Sequence, residues 1–274
     1  MKRKLTMVLA LALTVVLAMA FTACGGDGGS SGSSGNSGGG GGGDDSGSSD
    51  AYKVFAAATE AMSNADAISY DLDLDINMVL SGSDYGTKMV GSMTQTKTDG
   101  NYELYANLDV EMLGTSLAME EWYKDGYMYI SMSGYNYKQA MSLEDYMKSM
   151  QGSSVQTFPE SSIKDYSKES VSEGTKYTFT VDGAAMKEMV WSNMEANAET
   201  LGLTEADLGM SDATISVVVD GNDLISYSML VSYKMTISGE EVTADMDLTV
   251  SNITIGGVTV TFPADMDSYQ ELAA

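Results

Sequence analysis

The chain of 274 residues carries 39 acidic against 14 basic side chains, a net charge of −25, with no histidine and a single cysteine. Its only arginine is Arg3, so the commonest general base, the commonest metal ligand and the bidentate phosphate fork are missing from nearly the whole chain. A field of this sign repels polyphosphates and argues against any nucleic-acid partner, while one cysteine rules out an intrachain disulfide framework and a thiolate zinc site.

Lys2, Arg3 and Lys4 precede an apolar run from Leu5 to Ala20, too short for a spanning helix, and the stretch Leu17 to Gly26, LAMAFTACGG, brings small residues up to Cys24. Charge, apolar run and small residues in that order predict an export signal over 1–23. Phe21-Thr22-Ala23-Cys24 resembles the lipobox of bacterial lipoproteins, with Phe21 standing where leucine is usual. The resemblance implies cleavage before Cys24 and a diacylglyceryl group on its thiol. Acyl chains of the palmitate type would then hold the mature protein to the lipid bilayer, at the extracytoplasmic face of the cell membrane. The remaining chain keeps 11 lysines against 39 acids, a charge of −28.

Gly25 to Asp50 is glycine and serine with a few acids, a composition that buries no apolar surface, so 24–50 reads as the lipidated cysteine and a tether with a span of roughly 28 Å. Tyr52 to Ala65 predicts a helix with Tyr52, Phe55, Ala56, Thr59 and Met62 along one stripe. From Ile68 to Leu80 apolar and polar residues alternate without a break, the pattern of a strand dry on one face and wet on the other. Strands follow at Thr87 to Thr98, Tyr102 to Met112, Thr115 to Lys124 and Tyr127 to Met132, the last pair joined by the Asp125-Gly126 turn. Ser142 caps a short helix bearing Leu143, Tyr146, Met147 and Met150; an irregular region with Pro159 leads to a strand at Thr175 to Asp182. A second helix spans Ala184 to Leu201, with Met186, Met189, Val190, Met194 and Ala198 at helical spacing. Four strands close the chain: Ala213 to Val219, Asp223 to Ile237 with Ile225, Tyr227, Met229, Val231, Tyr233, Met235 and Ile237 dry, Glu241 to Ile253, and Val258 to Phe262.

About ten long strands, each dry on one side only, with two or three amphipathic helices, predict an α+β fold: a large curved antiparallel sheet, a half-barrel, with helices on its concave face. The order of elements after the lipobox and tether, with the helix into Ile68-Ser69-Tyr70 and the hairpin Trp122 to Ile130, resembles the LolA and LppX superfamily of lipid-handling envelope lipoproteins. It is similar also to an uncharacterised lipoprotein family of monoderm bacteria. That resemblance implies a single ectodomain over 51–274 and a lipid or other apolar ligand; it transfers no site residue.

Methionine is the unusual feature of the ectodomain, which holds 19 of the chain's 22. Thioether side chains remodel around varied shapes, so Met186, Met189, Met194, Tyr146 and Met147 are the candidate ligand-binding wall; the alternative is that methionine merely replaces leucine in the core. Asp71, Asp73 and Asp75 share a strand face but lack the loop of a calcium site. Asp245, Asp247, Glu120 and Glu121 are the acids from which a glycosidase pair could come, and Ser161-Ser162-Ile163-Lys164 matches S-x-x-K without its companion elements. The sequence therefore reads as a non-catalytic lipoprotein with no cofactor and no metal. The alternatives are a surface structural or interaction module without a pocket and, third, an envelope hydrolase.

Overall fold

The computed structural model describes residues 45–98, 100–112, 114–150, 158–200, 204–237 and 240–272. Cys24 and the predicted signal lie outside the described residues, as do the side chains of Met147 and Met194.

The alternation in β1 (Ala67–Leu80) is reproduced as burial, with every second residue from Ile68 to Leu80 buried. Buried backbone groups need hydrogen-bond partners, and β1, in the middle of the sheet, pairs on both edges. On one side Ser81-Gly82, with φ of 51° and 76°, turns the chain into β2 (Ser83–Thr98). From there a meander continues through β3 (Asn101–Met112), β4 (Thr115–Lys124), β5 (Tyr127–Met132) and β6 (Tyr135–Ala140). On the other side β1 pairs with β12 (Glu240–Ile255), followed outward by β11 (Asp223–Ile237), β10 (Ala213–Asp220), β8 (Gly174–Val181) and β7 (Ile163–Val171). The short β9 (Leu208–Met210) pairs with β11 beyond the end of β10, and β13 (Gln270–Glu271) adds a parallel pair to β6, the one parallel ladder among the described residues. The result is a 13-stranded open sheet.

Register shows that the dry side is continuous. Val110, Met89, Leu74, Leu248, Met229, Ile215 and Phe179 are successive Cα partners across seven strands. Three helices join the same apolar cluster. In α1 (Asp45–Ser63), Ala51, Phe55, Ala58, Thr59 and Met62 are buried as the helix packs on β7, β10 and β11. The Phe55 ring stacks on Phe158 at 5.2 Å and tilts against Phe179 at 5.9 Å. In α2 (Leu143–Met150) the Ser142 hydroxyl accepts from the Asp145 amide at 3.0 Å, the cap predicted for it. The first turn of α3 (Gly183–Thr200) is capped by Asp182, whose Oδ1 accepts from the Ala184 and Ala185 amides, and the helix buries Met186 and Val190. The fold is α+β, with its helices on one side of a single sheet.

Departures from the sequence reading have local causes. Helix α1 starts at Asp45, inside the stretch read as tether, because its first turn docks on β7: a Cβ at Gly47 would fall on the Tyr166 hydroxyl. Tertiary contact overrides weak propensity there. On β11 the dry face includes Leu224, while Ile225 is half-buried, since a bulge lets the pairing step from Val218↔Ser226 to Val219↔Leu224. Two edge strands, β6 and β7, were not read because lysines, glutamate and serines obscure their alternation, as suits edges. Val258 to Phe262 forms no strand; Gly256 and Gly257, with φ of 79° and 69°, turn the chain off the sheet, and it crosses the wet side of β4. There Trp122 Nε1 donates to the Thr261 carbonyl at 3.1 Å and Lys124 lies 4.4 Å over the Phe262 ring.

Candidate functional site

Residue parity along β4 decides what faces the helices. Met119, Glu121 and Tyr123 share the dry side, being Cα partners of Leu108, Ala106 and Leu104, while Glu120, Trp122 and Lys124 face outward. An acid thus stands in an otherwise apolar row, legible in hindsight as the one charge in the series Leu117, Met119, Glu121, Tyr123. Helix α2 covers it: the Tyr146 ring stacks on Tyr123 at 4.3 Å, and its hydroxyl donates to Glu121 Oε1 at 3.0 Å. Tyr102 packs 6.0 Å from Tyr123 and 6.2 Å from Tyr146, and donates to Gln95 Oε1 at 2.9 Å. Tyr123 donates to the Met141 carbonyl at 3.2 Å. Burial raises the Glu121 carboxyl above its ordinary range against the opposing Tyr146 hydrogen bond, and burial beside that carboxyl raises the Tyr146 phenol strongly. The cluster is a polar island set into a greasy surface.

Elsewhere on the dry side Tyr52 donates to the Phe158 carbonyl at 2.7 Å and Tyr70 to the Met93 sulfur at 2.9 Å. Tyr227 donates to the Met229 sulfur at 3.7 Å, and Tyr233, 3% exposed, has a buried hydroxyl with no partner. Desolvation raises both phenols. Among the described residues, Met62, Met78, Met89, Met93, Met186, Met229, Met235 and Met246 are buried.

Of the predicted wall, Tyr146 is 1% and Met186 0% exposed, and Met189 is half-buried against the core. Tyr146 belongs to α2 over β4, whereas Met186 and Met189 belong to α3, which packs against β9 near the other end of the sheet. Met147 and Met194 fall on side chains outside the described residues. Sequence reasoning singles out none of Gln95, Tyr102, Tyr123 and Tyr233 as a site residue: Tyr233 reads only as one residue of a dry strand face, and the partners of the others come from elements whose packing the local pattern does not show.

The remaining candidates are separated. Glu120 and Glu121 face opposite sides of β4, and Asp245 and Asp247 lie four strand positions away on β12, about 19 Å across the sheet. Asp245 and Asp247 instead border a wet-side groove of ≈ 440 Å³ with Asp75, Asp212 and the exposed Leu230. Asp71 accepts from Asn252 at 2.7 Å, Asp73 pairs with Lys88 at 3.5 Å and Asp75 accepts from Asn77 at 3.1 Å. Among the described residues no three ligating side chains converge as a metal site. Lys164 of the S-x-x-K stretch bridges Asp182 and Asp212, each at 2.7 Å, and these hydrogen bonds raise its proton affinity, the reverse of what a neutral-amine base requires.

No family model matches the chain, and no curated protein matches it. Among solved structures it is similar to the ywiB protein from Bacillus subtilis, at 8% identity and a TM-score of 0.23 over 68% of this chain and 93% of that one. A DUF1329 family protein from Desulfovibrio piger aligns at 10% identity and a TM-score of 0.25, covering 77% and 94%. MucB in complex with MucA(peri) aligns at 8% identity and a TM-score of 0.14, covering 76% and 100%. At these values the likeness carries nothing about what this chain binds or does.

Among the described residues no helix is long and apolar enough to cross a membrane.

Proposed function

We propose that the protein is a non-catalytic lipoprotein of the extracytoplasmic membrane face, held by acylated Cys24, whose helix-covered sheet receives a lipid or other apolar molecule. The observation that carries the ligand is the make-up of the dry side. A core selected for stability alone favours stiff aliphatic side chains and satisfied phenols, whereas among the described residues this one collects eight buried methionines and leaves the Tyr233 hydroxyl unpaired. The anchor rests on the lipobox-like run ending at Cys24 and on the glycine-serine stretch behind it. The element order supports the same reading through its resemblance to lipid-handling lipoproteins.

The nearly complete burial of Met186 and Tyr146 favours a second reading, a structural or interaction module that encloses nothing. Organic extraction of the purified protein followed by mass spectrometry, with titration of an apolar fluorescent dye, separates the two: a co-purifying lipid or saturable dye binding supports the carrier. Neither signal leaves the structural module. Cys24→Ala tests the anchor independently, the expected result being release into the medium or an uncut precursor. A variant that fractionates with membranes as firmly as wild type rejects acylation.

A further inference from the structure

The dry side is not covered evenly. Over β1, β12, β11 and β10 its residues are buried, and α1 and α3 lie toward that half. Beyond Glu121 the cover stops: Met119, Ile130, Met132 and Tyr137 are half-buried, Leu117 is 37% and Tyr135 63% exposed. All six share the parity of Glu121, since Glu121↔Ile130 and Ile130↔Tyr137 are Cα partners, as are Met119↔Met132, Met132↔Tyr135 and Val110↔Leu117. The carboxylate therefore stands where an open apolar strip meets the covered core.

Its electrostatics are incomplete. Among the described residues, the one hydrogen bond to Glu121 is that from the Tyr146 hydroxyl, and no ammonium pairs with it. Lys97, on the same side, is opposite Tyr102, two strands over and four residues along, about 16 Å away. A half-buried carboxylate with one neutral donor is undercompensated. A cation would complete it. The charge of −28 on the chain from Cys24 onward draws the same sign of ligand and repels fatty acids and phosphate headgroups.

We propose that Glu121 is the headgroup site for a cationic amphiphile, a small molecule whose ammonium pairs with this carboxylate at the edge of the tyrosine cluster while its hydrocarbon chain lies along Met119, Ile130, Met132 and Tyr137. This rests on the ligand-binding reading above and narrows it to one class of ligand. Ion pairing supplies the head-group selectivity, and the methionine-rich strip accepts chains of different shape.

The test uses the full chain and three probes of equal chain length, dodecylammonium, dodecanol and dodecanoate, each displacing a bound apolar dye. Wild type should bind dodecylammonium about tenfold or more tighter than dodecanoate, and Glu121→Gln, which keeps an acceptor for Tyr146, should lose about that factor for dodecylammonium alone. Asp109→Asn makes the same charge change at an exposed position on β3 and should leave all three within about twofold, a surface charge being largely screened. Ile130→Lys, which sets an ammonium on the strand directly opposite Glu121, should abolish dodecylammonium binding if Glu121→Gln does not fold. Equal effects of Glu121→Gln and Asp109→Asn, or no preference in wild type, overturn the headgroup assignment while dodecanol binding leaves the ligand reading standing. Failure of wild type to bind the dye and all three probes overturns both.

Discussion

Replacing Tyr233 by phenylalanine is expected to make the protein more stable. The residue is 3% exposed, its hydroxyl is unpartnered, and its neighbours on the flanking strands are Met210 and Ala244, neither of which offers a strong side-chain acceptor. Holding a buried hydroxyl without a partner costs about 1–3 kcal/mol, and phenylalanine keeps the ring's packing while removing that cost. A gain of about 2 kcal/mol in a domain of this size raises the midpoint of thermal unfolding by roughly 4–8 °C. Tyr102→Phe is the matched control, because that hydroxyl donates to Gln95, itself only 6% exposed, and its removal strands a buried amide oxygen. That change is expected to cost about 1–3 kcal/mol. Urea unfolding followed by the fluorescence of Trp122 and Trp191 reads both, with the midpoint rising for one, falling for the other and the slope unchanged. Opposite signs for one chemical change remove any general effect of deleting a phenol. A lower midpoint for Tyr233→Phe would show that the hydroxyl has a partner in solution, such as a trapped water, and the reasoning fails.

Three further outcomes use the same measurement. Because burial raises the Glu121 pKa, the folded state holds a proton that the unfolded state has released, so stability falls as pH rises from the ordinary glutamate value through the raised one. Glu121→Gln lacks that slope: the two proteins should match in acid below that window and diverge in favour of the variant above it, and parallel pH profiles refute the assignment. Phe158→Ala removes the ring that stacks on Phe55 and lies 6.0 Å from Phe179, at an expected cost of about 3–5 kcal/mol; less than about 1 kcal/mol would mean that this aromatic cluster does not dock α1. Gly91→Ala aims a methyl group at the Asn107 carbonyl oxygen, with Leu108 Cδ2 at 2.8 Å, and should cost about 1–3 kcal/mol by forcing β2 and β3 apart, whereas an unchanged midpoint would show that the strands yield freely.

Much of this architecture was written in short-range pattern. The unbroken alternation from Ile68 to Leu80 predicts a two-faced central strand, and register then carries the same parity outward in both directions, so the dry residues of β3, β10 and β12 follow from their own alternation. The failures fall where a distant contact decides. No local feature of Gly47 announces that Tyr166 will hold it in a helical turn, and the alternation in β11 says nothing of the bulge that puts Leu224 in place of Ile225. The polar island is the clearest case. Glu121 was visible as an acid, but its meaning depends on Tyr146, 25 positions later, arriving over it on a helix. Residue type marks the groups that could matter, and only the packing of one element on another distinguishes a solvated carboxylate from a confined one.

The last residues of the chain have a consequence beyond their length. Strand β6 would offer its free backbone edge to any passing strand, yet Gln270 and Glu271 occupy part of it in parallel, the Leu272 amide donates to the Lys138 carbonyl at 2.9 Å, and Tyr269 tucks edge-on against Trp122. On the far border β7 carries lysines and glutamate instead of a cover. The two borders therefore resist fibre-like stacking by different means, one by occupancy and one by charge, and clipping a dozen residues from the carboxyl end would leave this sheet with an adhesive rim.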